Sequence, residues 1–389
     1  MSIEIDILTR EIPDTCNVWR TFAGTGYKFI NDFLEKDAIF LDFPGLELPD
    51  GDLNESEDLL ARILAAQEVV EVYKFMGPEA EVAVDWKNYI NARRTVGRGI
   101  IRSSAINIYQ HAKRGDLIVL PTTLQTGVIH IGAIMDHPQT RNTSTVDRLY
   151  GTSQIPSRSV QWLASTPEHK LSFALSSVLR HQNPFSLIPQ NLYIEVMSIA
   201  YTNFTYKDRF SSVIYNLLDD YLDTDSALIG MIAQISANII EAMDEGHKVE
   251  FDDIELLKYL IKRPSVEYNC SQSADIHSAG FNRFVSAKIT PLVIVSIVGV
   301  LTYLGTHSNR EALAGDIANI SVINSLERQG GSCPPPVSEA TSRFLSQTDI
   351  DIVWEMCQRA REAKGRAGLQ PGVAVQGNGR PEMRLPARR

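Results

Sequence analysis

An α+β fold is predicted for this chain, on three observations. The first half holds short apolar runs cut by turn residues, such as Arg114-Gly-Asp-Leu-Ile-Val-Leu-Pro-Thr-Thr123, which read as strands. The second half holds apolar residues at i, i+3 and i+4, which read as helices. The 389 residues, 44% hydrophobic and 22% charged, have a globular composition and suffice for two or three domains. The expected organisation is a β-rich domain over residues 1–165, a mostly helical domain over 166–364 and a disordered tail over 365–389.

Within the first half, Glu57 to Lys74 has helical spacing, with Leu59, Leu60, Ile63, Leu64, Val69 and Val70. Asn54 or Ser56 would cap it, and Met76-Gly-Pro78 would end it. Ser103 to His111 reads as a short helix running into a turn at Gly115. Leu117 to Leu120 is then a strand stopped by Pro121, Thr122 to Gly127 a loop, and Val128 to Ile134 the returning strand. Residues 136–160 are polar and turn-rich, and Ser165-Thr-Pro167 reads as the domain boundary.

In the second half, Leu171–Leu179, Phe210–Leu222, Ala227–Met243, Asp252–Lys262 and Asp349–Ala363 all carry helical periodicity. Pro264 stops the fourth of these, and Trp354 and Cys357 lie on the inner face of the last. Asn191 to Ala200 fits a strand or a buried helix equally. Gly365 to Arg389, rich in Gly, Pro and Arg, has no apolar pattern and reads as disordered.

Charge is unevenly distributed. The formal net charge is −10, which argues against non-specific coating of nucleic acid, a process dominated by phosphate neutralisation. Residues 46–85 hold eleven Asp and Glu against Arg62 and Lys74. Residues 87–114 invert the sign, with Lys87, Arg93, Arg94, Arg98, Arg102, Lys113 and Arg114 and no acidic residue. Arg93, Arg94, Arg98 and Arg102 are therefore candidate phosphate ligands, since the guanidinium fork matches phosphate oxygens. The competing reading is a solvated face that pairs with the acidic segment. Cys16, Cys270, Cys333 and Cys357 are far apart, so neither a zinc knuckle nor a CxxC pair is spelled out and reduced thiols are expected. The acidic Met-Ser-Ile-Glu-Ile-Asp opening is unlike a secretory signal, and a cytoplasmic protein is expected.

Four segments in order carry a resemblance. They are Val18-Trp-Arg-Thr-Phe-Ala-Gly24, the Arg114–Thr123 strand, Gly127-Val-Ile-His-Ile-Gly-Ala-Ile134 and Ile155-Pro-Ser-Arg-Ser-Val-Gln-Trp-Leu163. Together they resemble the PUA/EVE-like domain at the N-terminus of Mrr-type restriction and related prokaryotic defence proteins, over roughly residues 16–165. The resemblance implies a small, partly open β-barrel with flanking helices that reads nucleic acid, a modified base or a free nucleotide. It also implies a sensor in antiviral defence whose helical second half acts on a protein partner or on further copies of itself. A bound base needs aromatic faces and hydrogen bonds to its edge. By resemblance, Trp19, Phe22 and Trp86 are candidate aromatic walls, and Thr122 and Thr123 candidate polar contacts. The alternative for the two tryptophans is packing inside the barrel.

A Mrr-type chain would carry a metal-dependent nuclease, which needs an Asp and a Glu-x-Lys on adjacent strands. Glu195 has Met197 where the Lys should be, and Glu255 precedes Lys258 within an amphipathic helix. No phosphate loop, HExxH or Gly-x-Ser-x-Gly is present. No catalytic residue, metal site or cofactor is therefore assigned, and a divergent nuclease in the second half stands as the alternative function. His130 alternates within a strand as an ordinary strand residue. Asp219, Asp220, Asp223 and Asp225 form either a metal site or a solvated helix end. Finally, Ile289 to Gly305 is an uncharged apolar run, readable as a core element or as a membrane-inserting segment.

Overall fold

The computed structural model describes residues 3–91, 95–122, 127–181, 183–246, 262–275, 280–305, 313, 315, 317, 319–327 and 331–377. The chain is mixed α and β and divides into two compact units, Thr15–Ala200 and Met1–Asp14 with Tyr201–Arg389. In chain order the described elements begin with β1 (Ile3–Asp6) and β2 (Thr9–Ile12), which belong to the second unit.

The Thr15–Ala200 unit holds β3 (Val18–Thr21), α1 (Ile30–Glu35), β4 (Ala38–Phe40), α2 (Leu59–Met76), α3 (Val96–Ile106), β5 (Leu117–Pro121), β6 (Val128–Ile134) and β7 (Asn142–Ser144). It continues through α4 (Asp147–Tyr150), β8 (Ile155–Pro167), α5 (Phe173–Leu179), β9 (Phe185–Leu187) and α6 (Tyr193–Ala200). Its strands form one curled half-barrel sheet in the order β4-β8-β6-β5-β3-β9, with β7 added to β8. The β3–β5 pair is parallel and the other pairs are antiparallel. Strand β5 is buried along its whole length, which is why it reads as an unbroken apolar run and not as an alternation. Gly132 permits the close approach of β6 to β8: a Cβ there would lie 2.4 Å from Val160 and 3.0 Å from Trp162. The Ser56 hydroxyl accepts from Leu59 N at the start of α2, and Gly77, at φ 86°, closes its end.

The expected boundary at 165–167 lies inside β8, whose last residues pair with the start of β6 (Thr166 with Ile129, Pro167 with Val128). Pro167 sits at the strand's terminus, where a missing N–H costs the ladder least. The unit runs on to Ala200 because β9 then returns to pair with β3.

The second unit corrects the expectation of a mostly helical domain. It adds β10 (Asn203–Tyr206), β11 (Arg209–Asn216), α7 (Asp223–Asp244), β12 (Ser271–Asp275), β13 (Gly280–Ser286), α8 (Thr290–Leu304) and β14 (Ile320–Ile323). It closes with α9 (Pro334–Gln347), α10 (Ile350–Ala367), β15 (Leu369–Pro371) and β16 (Ala374–Gly377). Two sheets result, β14-β1-β16 and β12-β13-β11-β10-β2 with β15 on β11. Phe210–Leu222, expected as a helix, is mostly β11: hydrogen bonds to β10 and β13 on its two edges outweigh a local helical period. Asn191–Ala200 resolves as helix over Tyr193–Ala200. The expected helix over Asp252–Lys262 lies outside the described residues, save Lys262 itself. The tail expected from Gly365 is ordered to Gly377: α10 continues to Ala367, Gly368 caps it in the left-handed region (φ 63°), and β15 and β16 follow. Residues 378–389 lie outside the described residues.

All fifteen residues of α8 are buried. It packs against α7, α9, α10 and β11, so the apolar run is a core helix. Helix α7 has the length and composition of a membrane span, yet 61% of its apolar stretch is buried inside the protein.

Candidate functional site

Strand registers in the Thr15–Ala200 unit bring one set of loops together. Arg20 of β3 pairs with Val119 of β5 and Ser186 of β9; Pro121 pairs with Ile129 of β6, and Val128 with Pro167 of β8. The ends of β3, β5 and β8 and the starts of β6 and β9 therefore share one end of the sheet. Phe22, Thr122, Val128, Glu168 and Pro184 lie there. Backbone hydrogen bonds seal it: Phe22 N donates to the Pro184 carbonyl (3.0 Å) and Glu168 N to the Gly127 carbonyl (3.0 Å).

Two aromatic rings mark the site. Phe22 and Tyr27, both half-buried, meet edge to face with centroids 5.2 Å apart. The chain reaches this geometry through Gly24 (φ 73°), where a Cβ would lie 2.7 Å from the Phe29 ring, so glycine is required. Tyr27 itself sits at φ 58°, a conformation that costs a non-glycine residue about 1–3 kcal/mol and often marks a functional position. The turn is held by Tyr27 N donating to the Gly24 carbonyl (2.9 Å). Next in the chain, Lys28 donates to the Tyr150 hydroxyl (2.7 Å) and pairs with Asp42 (2.6 Å).

Charged groups act on these rings. Arg20 alternates with Trp19 along β3, so the two project to opposite faces. Arg20 is only 2% exposed. Its Nε donates to the Leu179 carbonyl (2.8 Å) and its Nη1 to the Asn183 carbonyl (2.6 Å), while the guanidinium stands 5.8 Å from the Phe22 centroid. Burial lowers its pKa to about 10, partly offset by Tyr27. Glu168 is buried too, 3.6 Å from Arg180. Burial raises the Tyr27 pKa; Arg20 opposes the rise and Glu168 adds to it. Two part-exposed aromatic rings, buried charged groups and a strained turn at one sheet end mark a candidate ligand site.

The candidates named from sequence separate in space. Phe22 and Thr122 fall at this end, with the Thr122 hydroxyl donating to the Val128 carbonyl (2.8 Å). Trp19 does not: it is a core residue, stacked on Phe185 at 5.2 Å, with its indole N–H on Asp116 (2.8 Å). Trp86 lies beside α2, with the Arg62 guanidinium 4.4 Å above its ring. Arg102 donates to the carbonyls of Leu53 (3.1 Å), Asn54 (2.8 Å) and Ser56 (3.2 Å), tying α3 to the backbone ahead of α2. Arg98 stands in the first turn of α3. Thr123, Arg93 and Arg94 lie outside the described residues. Sequence reasoning gave no role to Arg20, Tyr27, Glu168 or Arg180. The one available signal was Arg20 itself, a charged residue between Trp19 and Ala23 in a strand that burial then claims.

A cavity of about 310 Å³ opens elsewhere in this unit, between Gly45–Leu48, Arg141–Thr143, Gln154 and Pro156. In the second unit the acidic cluster is divided: Asp225 is buried, with both its oxygens accepting from Arg366 Nη2 (2.8 and 3.0 Å), and it accepts from Leu222 N. Among the described residues no three His, Cys, Asp or Glu side chains gather as metal ligands. Burial raises the pKa of all four cysteines, which leaves them protonated and unreactive at neutral pH.

No family model, curated protein or solved structure matches this chain.

Proposed function

We propose that the Thr15–Ala200 unit is a PUA/EVE-like reader that binds a nucleotide, or a base of a nucleic acid including a modified one, at the Phe22–Tyr27 end of its sheet. The observation that carries this reading is the pairing of two part-exposed aromatic rings with a buried guanidinium at one end of a curled sheet. Aromatic faces hold any base by stacking, and polar groups around them select its edge. The four ordered segments that resemble defence-associated readers support the same assignment. On that resemblance we infer a cytoplasmic antiviral sensor, with the second unit relaying ligand binding to a protein partner or to further copies of the chain.

Calorimetry on the full chain, against free nucleotides and against short plain and modified duplexes, tests this. Phe22→Ala is the informative variant, because Phe22 is half-buried whereas Trp19 belongs to the core. Loss of one stacking face removes about 1–3 kcal/mol, so binding should weaken roughly 5- to 150-fold with the melting temperature kept. Saturable binding that Phe22→Ala leaves unchanged would place the ligand elsewhere, and no binding by any of these ligands would remove the reader assignment.

A further inference from the structure

Arg20 has no counter-charge among the described residues. Among the described residues its guanidinium has no carboxylate within ion-pair distance, and its hydrogen-bond acceptors are two neutral carbonyls, those of Leu179 and Asn183, reached through Nε and Nη1. Nη2 makes no hydrogen bond there. Arg158, the other strongly buried arginine of this unit, contrasts with it: Arg158 Nε meets Asp136 at 2.8 Å. Burying a cation against neutral acceptors alone leaves much of its desolvation cost uncompensated. At Arg20 this cost is borne at the candidate site, beside Phe22 and Tyr27. Arg180 has Glu168 at 3.6 Å, whereas Arg20 has no such partner among the described residues. A neutral base edge would leave that charge unmatched; an anion would balance it.

Resting on the reader assignment above, we propose that Arg20 is the anion anchor of this site and that the ligand presents a phosphate to it, with its base against Phe22 and Tyr27. A guanidinium fork matches phosphate oxygens in pairs, and Arg20's fixed Nε and Nη1 contacts preset its orientation. The phosphate can belong to a free nucleotide or to a nucleic acid strand. Arg20 is only 2% exposed, so a terminal phosphate has easier access to it than a phosphate flanked by two sugars.

The test is calorimetry on the full chain with five probes: inorganic phosphate, a nucleoside, its 5′-monophosphate, and a short single strand with and without a 5′-phosphate. The monophosphate should bind at least roughly tenfold tighter than the nucleoside, and inorganic phosphate should compete with it. Arg20→Gln should bring the two to equal affinity, and Arg20→Lys should keep part of the difference. Phe22→Ala guards against a folding artefact, because it should weaken nucleoside and monophosphate alike and preserve their ratio. A strand that gains affinity from its 5′-phosphate assigns the anchor to strand ends; gain by the free monophosphate alone assigns it to mononucleotides. Either outcome supports the anchor. Equal binding of nucleoside and monophosphate by the unsubstituted protein overturns it while leaving the reader assignment in place. Phosphate competition without any base preference supports the anchor and removes the base reader.

Discussion

Arg20 and Arg158 show how the same residue type meets different partners in one sheet. Arg158 is fully engaged: Nε on Asp136, Nη1 on the carbonyls of Ile108 (2.6 Å) and Ala112 (2.9 Å), and Nη2 on the Asp136 carbonyl (3.0 Å). Asp136 in turn accepts from Asn142 (2.8 Å) and Ser159 N (3.1 Å). This closed network joins β8 to the segment before β5. Removing one partner of a buried pair strands the other's charge, at about 3–5 kcal/mol. Asp136→Ala should therefore lower stability by that amount in chemical denaturation of the full chain, and Arg158→Met added to it should restore much of the loss. A cost for Asp136→Ala below about 1 kcal/mol, the range of exposed pairs, would show that the network contributes little. From sequence, Arg158 was a letter in a resemblance and Trp19 a candidate wall. Burial decides both, and burial depends on which face of a strand meets the helices.

Helix α8 poses the same problem at the level of an element. Its run of β-branched residues, with Pro291 at the start, suits a core helix, a strand or a short membrane segment. Neighbours settle the matter: α7, α9, α10 and two sheets surround it, and the Ser296 and Thr302 hydroxyls donate back to the Leu292 and Val298 carbonyls within the helix. A charge placed there has no partner and costs several kcal/mol. Ile294→Asp should abolish cooperative unfolding or leave the protein insoluble. A soluble Ile294→Asp variant with an unchanged melting temperature would contradict the buried position. Elements with strong local signals, β5 and β6 with their glycine and proline stops and α7 and α10 with long periodic faces, were legible in advance. Strand β11 was not, because Phe210–Leu222 has apolar spacing compatible with a helix and only its two partner strands make it extended.

At the scale of the molecule, the N-terminal residues have distant partners: Ile3 pairs with Ile320 and with Gly377, and Thr9 with Asn203. The buried Asn203 side chain locks that unit, donating to the carbonyls of Ile7 (2.7 Å) and Gly372 (2.6 Å). The intervening unit closes only when β9 covers the edge of β3 and Phe185 stacks on Trp19. A fragment of residues 15–200 should thus melt cooperatively, whereas 15–165, without α5, β9 and α6, should aggregate or melt without a clear transition, as followed by circular dichroism. Equal cooperativity in the two fragments would place the boundary back at 165. Composition, the turn residues around Leu117–Ile134 and the helical periodicities were properties of short windows, and they sufficed for the fold class and for several elements. The domain boundary, the second unit's sheets and the joining of Phe22 and Tyr27 to Arg20, Glu168 and Arg180 came from strand pairing across as many as 374 positions, from Ile3 to Gly377. Hydrogen bonds between strands carry no local period, so only the assembled sheets could bring those residues together.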